Sequence, residues 1–246
     1  MLFCLIAACF VCIRVLQCKF GFAVRCSGLL LVALGCERLG LLPRQLCSIV
    51  MPMLAKPETG HRLIILYAGM YRVWQRLRRP DIKSLHRNLQ RPYWGAVAGR
   101  SALDLSWAQA ARSEAATLDN QISVLLLMDF SKFYEGIPLE LLRDRLLACG
   151  MPTAIVKLLF NTWQSPRIIR LGLHHSGRPL FALIGLPAGC AYADVAVRAF
   201  TITEYDAFLC RNPVVDYMSY IDDTGVHFAG NDREVVAGVI VRRTAQ

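Results

Sequence analysis

The sequence predicts a mixed α/β fold, and three observations carry that reading. Ile122 to Phe130 is a short, almost continuous apolar run, the pattern of a strand buried on both faces. Leu139, Leu142, Leu146 and Leu147 form an apolar stripe at helical spacing, opened by Pro138 and closed by Gly150. Val214–Tyr220 and Gly225–Phe228 are two short strand-like runs around Ile221-Asp222-Asp223-Thr224.

The elements follow in chain order. Met51 to Gly60 is punctuated by Pro and Gly and reads as a loop or short strand carrying Lys56. Residues 62–79 read as a helix, with Leu63, Leu66, Met70, Val73 and Leu77 on one side and arginines between them. Ser101 followed by Asp104 is a capping box opening a helix to about Ala116. The strand Ile122–Phe130 and the helix after Pro138 come next, then a second helix from Pro152 to about Trp163. Residues 167–173 and 179–184 flank His174-His175-Ser176-Gly177 as a hairpin. Residues 190–210 are helical, the two short strands follow, and Asn231 with Glu234 caps a closing helix. No internal repeat or low-complexity tract interrupts this order.

The chain has 246 residues, 55% of them hydrophobic, and a formal net charge of +10, which excludes a disordered protein. The charge is uneven. Residues 51–100 hold ten Lys and Arg against two acids, and residues 201–246 hold four Arg against seven acids. A basic block ahead of an acidic one suits a protein that holds a polyanion on one element and divalent metal on another; two solvated faces are the plainer alternative. Residues 1–50 form an apolar, Cys-rich leader: 28 of the first 36 positions are hydrophobic, and seven of the ten cysteines lie in residues 1–47. Its longest uncharged run, Met1 to Ile13, is shorter than the roughly 18 residues a bilayer requires. It resembles the core of a signal peptide without the basic residues that precede one. Membrane contact by residues 1–36 and an unrelated extension both remain open. Cys9 and Cys12 form an isolated CxxC with no second pair, so no zinc site is expected, and no disulfide framework is legible. The expectation is an intracellular protein of the nucleus or cytoplasm.

The chemistry lies in the carboxylates. Asp129 ends the apolar strand, where an unpaired charge costs several kcal/mol if buried. Asp222 and Asp223 are adjacent, and a tight hairpin tip can turn both toward a neighbouring strand end. Three carboxylates at one sheet edge repel unless divalent cations neutralise them. Hard oxygen donors suit Mg²⁺ or Mn²⁺, and two ions ~4 Å apart would activate a hydroxyl and stabilise a leaving phosphate oxygen.

These residues carry a family resemblance. Tyr220-Ile221-Asp222-Asp223 resembles the Tyr-x-Asp-Asp box of reverse transcriptases, and Asp129 through Ile137 resembles the Asp-x-Ser-Lys-Ala-Phe-Asp block of the non-long-terminal-repeat and group II intron types. Gly185-Leu-Pro-Ala-Gly-Cys190 resembles the Gly-x-Pro-Gln-Gly loop, and Leu54 through Arg62 resembles the Pro-Lys-Pro-x-Gly-x-Arg-Pro-Ile entry to the fingers. The blocks fall in the family's order across residues 51–246. The resemblance implies the right-hand polymerase fold, with fingers and a palm whose central antiparallel sheet is flanked by helices. It implies that Asp129, Asp222 and Asp223 hold two Mg²⁺ or Mn²⁺ ions and that Phe130 offers a backbone carbonyl. Tyr134 would crowd the sugar 2′-position, Lys56 and Arg62 would reach the triphosphate, and Gly189 would allow close backbone approach in the nucleotide pocket. The partners implied are an RNA template, a DNA or RNA primer and deoxynucleotides. Glu135 stands where relatives carry Asp, Ala188 where they carry Gln, and Leu63 where they carry Pro. About two dozen residues follow Asp223, so fingers and palm are expected without the primer-gripping hairpin and thumb.

The leading expectation is therefore an RNA-directed DNA polymerase domain of a retroelement. A catalytically inactive, truncated remnant that at most binds RNA, and an RNA-dependent RNA polymerase palm, are the alternatives.

Overall fold

A computed structural model describes residues 22–55, 61–130, 132–231 and Gly238. The first 21 residues of the leader, Lys56 and the closing helix expected after Asn231 lie outside the described residues. The elements in chain order are α1 (Phe22–Leu39), β1 (Ile49–Ala55), β2 (His61–Leu63), α2 (Gly69–Leu77), α3 (Arg79–Asn88), α4 (Ala102–Leu118), β3 (Ile122–Asp129), the single turn α5 (Phe133–Gly136), α6 (Leu139–Ala148), α7 (Thr153–Trp163), β4 (Arg167–Leu171), β5 (His174–His175), α8 (Ala193–Arg211), β6 (Asp216–Tyr220) and β7 (Asp223–Gly230). They form two units: residues up to 88 with 134–200, and residues 89–133 with 201 onward.

The first unit is built on helices. Leu139, Leu142 and Leu146 of α6 pack beside Leu158, Leu159 and Trp163 of α7, all buried, while Leu147 points partly to solvent. Gly150, at φ 84°, ends α6 as the expected C-terminal glycine. Helix α1 packs on α2 and α7. There the buried Glu37 carboxylate accepts from Trp74 Nε1 at 2.7 Å and from Arg78 Nε at 2.6 Å. The sheet of this unit runs β2-β1-β4-β5, with β1 parallel to β4 and antiparallel to β2.

Two expectations about this unit are corrected. The helix expected over 62–79 is a strand followed by two helices. Ile64 and Leu66 donate to Pro52 and Val50 carbonyls in β1, so the chain stays extended to Leu66 and helix begins only at Gly69. Pro80 then opens α3 near its first position, where its missing N–H costs nothing. The hairpin after Arg167 turns at Gly172-Leu173, and not at His174–Gly177. Gly172 supplies φ 58°, and the second arm is only His174–His175, with Leu180 making a lone bridge to Arg167.

The second unit is a three-stranded antiparallel sheet, β3-β7-β6, with a helix on each face. On one face Val215, Val226 and Phe228 form a buried core with Val124, Leu126, Met128, Tyr217 and Phe208 of α8. Tyr93 and Trp94 extend the sheet past β6: Gly95 N–H donates to the Ser219 carbonyl at 2.8 Å, and Ser219 N–H to the Tyr93 carbonyl at 2.9 Å. Helix α4 packs on the other face, against β3 and β7, opened by the expected capping box between Ser101 and Asp104. The expectation that Ile122–Phe130 is buried on both faces is corrected. Among the described residues β3 pairs only with β7, and Leu127 is 68% exposed on the α4 side. An apolar run reports that both faces tolerate hydrocarbon; it does not report how many layers cover them.

Segment 89–95 is tied to α8 by charge. Arg91 donates to both Asp206 oxygens, from Nε to Oδ1 at 3.1 Å and from Nη2 to Oδ2 at 2.8 Å, and Tyr93 donates its hydroxyl to Oδ1 at 2.8 Å. Burial alone would raise the Asp206 carboxyl, but these hydrogen bonds and the Arg91 charge hold it below its ordinary value of 3.8. A depressed folded value means a contribution to stability that is complete above pH 3.8 and is lost as the pH falls through the lower folded value. Asp206→Asn is expected to lower Tm by about 2–4 °C at pH 7, a modest shift because the pair is partly exposed. Thermal scans across pH 2–7 check this: the two curves converge in acid, and an equal gap throughout would refute it.

Candidate active site

The hairpin tip sets the geometry. Strands β6 and β7 are joined by a two-residue turn, Ile221-Asp222, with Tyr220 opposite Asp223. Two-residue hairpins favour positive φ, and Ile221 adopts φ 62°, a left-handed conformation in which a β-branched residue is crowded. Asp222 thereby occupies the tip and Asp223 opens β7. Strand β3 ends at Asp129, whose register partner is Asp223. Directly opposed residues share a face of the sheet, so these two carboxylates lie side by side.

That face also carries Leu127 and Gly225, and α4 lies across it. Leu105, Ser106 and Gln109 of α4 oppose Asp129, Tyr220 and Asp223 around a cavity of about 300 Å³. Gly225 leaves room for the Gln109 amide over the strand, since a Cβ there would stand 2.6 Å from Gln109 Nε2. Ser106 and Gln109 were not singled out by sequence; their signal is the spacing with Leu105 on a capped helix, opposite a strand glycine. Hydrogen bonds from Ser101 hold the Asp104 carboxyl below its ordinary value at the mouth of α4.

The donor chemistry of the carboxylates fits a hard divalent cation. Asp129 and Asp223 are like charges at cross-strand distance, an arrangement that destabilises a sheet unless a cation offsets it. No group of three His, Cys, Asp or Glu side chains is assembled as a ligand set among the described residues, and Asp222 stands at the hairpin tip next to the opposed pair. Phe130 follows β3 directly, 40% exposed, and stacks on Phe133 at 5.4 Å.

The remaining candidates belong to the first unit. Arg62 lies in β2, where only its backbone is described. Tyr134 is half-buried on α5, and its carbonyl accepts from Leu186 N–H at 2.7 Å. Gly185 N–H donates to the Ile137 carbonyl at 2.9 Å, so the Gly185–Cys190 loop is strapped to the segment carrying Tyr134. Gly185 has φ 94°, and a Cβ there would meet the Glu135 carbonyl oxygen at 2.9 Å. Gly189 has φ 95°. The loop thus needs glycine at both ends for conformational reasons.

The sequence matches the family model for reverse transcriptase (RNA-dependent DNA polymerase) over residues 54–245. The chain belongs to the reverse transcriptase family. Among curated proteins, no relative matches it. The fold is similar to apo telomerase from Candida tropicalis truncated from its C-terminal domain, with a TM-score of 0.59 at 9% identity, covering 84% of this chain and 48% of that one. It is similar also to telomerase from Candida albicans in complex with a TWJ fragment of telomeric RNA, with a TM-score of 0.54 at 11% identity, covering 80% and 39%. The chain thus spans about half or less of the length of these structures, and the likeness is one of fold. A reverse transcriptase fold accounts for the three-stranded sheet with its acidic hairpin tip in the second unit and for the mixed helices and strands of the first.

Two expected outcomes follow from the backbone. Ile221→Gly removes the crowding at the hairpin tip, worth about 1–2 kcal/mol, and raises Tm; an unchanged or lower Tm refutes strain at this position. Gly185→Ala costs about 1–3 kcal/mol, read as a fall in the urea midpoint.

Proposed function

We propose that this chain is the RNA-directed DNA polymerase domain of a retroelement of the non-long-terminal-repeat or group II intron type, with residues 51–246 forming fingers and palm. The observation that carries the proposal is the register that opposes Asp129 and Asp223 at a sheet end, beside a hairpin tip that presents Asp222. The site residues act by position and charge, because phosphoryl transfer asks little covalent chemistry of a protein.

Asp129, Asp222 and Asp223 would hold Mg²⁺ or Mn²⁺. Bound there, two such ions supply activation of the primer 3′-hydroxyl and neutralisation of charge on the leaving pyrophosphate. The sheet fixes the carboxylates before substrate arrives, so little reorganisation is needed at the reacting phosphate. Phe130 offers its carbonyl at the strand end. Tyr134 excludes a ribose 2′-hydroxyl and so selects deoxynucleotides, while Lys56 and Arg62 contact the triphosphate through charge-assisted hydrogen bonds. Gly189 lets the loop backbone approach the template base and incoming nucleotide. An RNA template and a DNA or RNA primer are the macromolecular partners, and the setting is intracellular.

One observation favours a second reading, binding without catalysis. Helix α4 lies over the face bearing Asp129 and Asp223, leaving only about 300 Å³ between them. An RNA-dependent RNA polymerase would share the carboxylates and differ in the sugar it accepts.

A primer-extension assay on an RNA template separates the readings. Mg²⁺-dependent incorporation of deoxynucleotides is expected, with Asp129→Asn and Asp222→Asn lowering it by about a hundredfold or more. Equal activity in parent and variants overturns the assignment. Preference for ribonucleotides supports the RNA polymerase, and salt-sensitive RNA binding with no incorporation supports the remnant.

A further inference from the structure

The strand that carries Asp129 has no register information in its hydrophobic pattern. Ile122-Ser-Val-Leu-Leu-Leu-Met128 is apolar on both faces but for Ser123. A slide of two residues along β7 would still set hydrocarbon against hydrocarbon. The same slide would carry Asp129 about 7 Å from its place opposite Asp223. Something else must hold the register.

Ser123 is that exception, and it meets a polar chain centred on a buried histidine. Ser123 Oγ lies 2.9 Å from His227 Nε2 and 3.3 Å from Ser113 Oγ. His227 is 4% exposed, in the middle of β7. Its Nδ1 lies 3.8 Å from Asp216 Oδ2 on β6, and Arg112 Nε of α4 lies 3.3 Å from the same oxygen. The chain Arg112–Asp216–His227–Ser123–Ser113 therefore crosses all three strands and returns to the helix on the same face as the carboxylates. A slide of β3 by two residues away from the hairpin tip would set His227 opposite Leu127 and carry Ser123 to the level of Asn231, leaving the buried imidazole without this partner. The opposite slide would carry Met128 and Asp129 past Asp223, where β7 begins, and lose their ladder pairs.

We infer that Ser123 and His227 are the positioning pair of the active site, blocking the slide of β3 away from the hairpin tip that would move Asp129 from opposite Asp223 to opposite Gly225. The inference rests on the proposed polymerase activity for its consequence and on the sheet alone for its cause. A slipped register leaves a folded sheet with displaced carboxylates, so the pair acts through Asp129 and touches no substrate.

Disulfide trapping tests the cause. Met128→Cys with Thr224→Cys reports the native register, in which these residues are opposite. Met128→Cys with Val226→Cys reports the two-residue slip away from the hairpin tip, and Leu126→Cys with Thr224→Cys reports the opposite slip, in which Ser123 stands directly opposite His227 and which serves as the control. The full chain is expected to trap only the first pair. With Ser123→Ala or His227→Ala, the Met128–Val226 pair forms too while the Leu126–Thr224 pair still does not, and Ser123→Thr, which keeps the hydroxyl, restores native trapping. Primer extension tests the consequence: Ser123→Ala is expected to lower kcat about a hundredfold with KM for deoxynucleotide little changed, and Ser123→Thr to recover it. Native trapping alone in both alanine variants overturns the inference. A parent without polymerase activity leaves the trapping result decisive and overturns only the functional reading on which the consequence rests.

Discussion

Asp129 and Asp223 face each other across one pair of strands, and the rest of the second unit is organised around keeping them there. Coulomb repulsion between opposed carboxylates pushes the strands apart or out of register unless the sheet resists it. The resistance is divided between the two faces. Val226, Phe228 and Val215 bury against Val124, Leu126, Met128 and Phe208 on one side, and this apolar packing holds the strands together. The opposite face holds the polar chain through His227 and the open cavity at the carboxylates. Cohesion is non-directional and sits on one face; alignment needs directional bonds and sits on the other.

The hairpin tip shows the same division at smaller scale. A glycine at position 221 would relax the turn, whereas isoleucine keeps the backbone in a sparsely populated region. Its neighbours Tyr220 and Asp223 pair as strand residues, so the two-residue connection has no freedom to spread. Strain held by a well-made ladder is characteristic of sites where position matters more than local stability.

Parts of this arrangement were legible from the sequence where the signal was local. Ser101 with Asp104, and Pro138 with Gly150, mark helix ends because capping chemistry involves neighbours within one turn. The hairpin around Ile221-Asp222 was legible for the same reason. Residues 62–79 were not, because Leu63 and Leu66 satisfy a helical period while Ile64 and Leu66 are claimed by Val50 and Pro52, more than ten residues earlier. Nor was the exposure of Leu127, which depends on what lies beside β3. At the candidate site, Asp129, Asp222 and Asp223 stand out in the sequence by residue type and placement, but the opposition of Asp129 to Asp223 is a fact of register. Register is carried by Ser123 and His227, 104 positions apart.

The basic block obeys the same electrostatic logic with the sign reversed. Three of its arginines are committed to structure: Arg78 to Glu37 within the first unit, and Arg91 to Asp206 and Arg100 to the Pro92 and Trp94 carbonyls within the second. Arg72, Arg76, Arg79, Lys83 and Arg87 remain exposed along α2 and α3. Arg72 with Arg76, and Lys83 with Arg87, stand one helical turn apart, a spacing at which like charges destabilise a helix by a few tenths of a kcal/mol. Each pair would be stabilised by an anion drawn to both members, as the opposed carboxylates would be by a cation. Under the proposed activity those opposite charges are a nucleic-acid backbone and divalent metal, so the unliganded chain carries repulsion at both places where its substrates would bind.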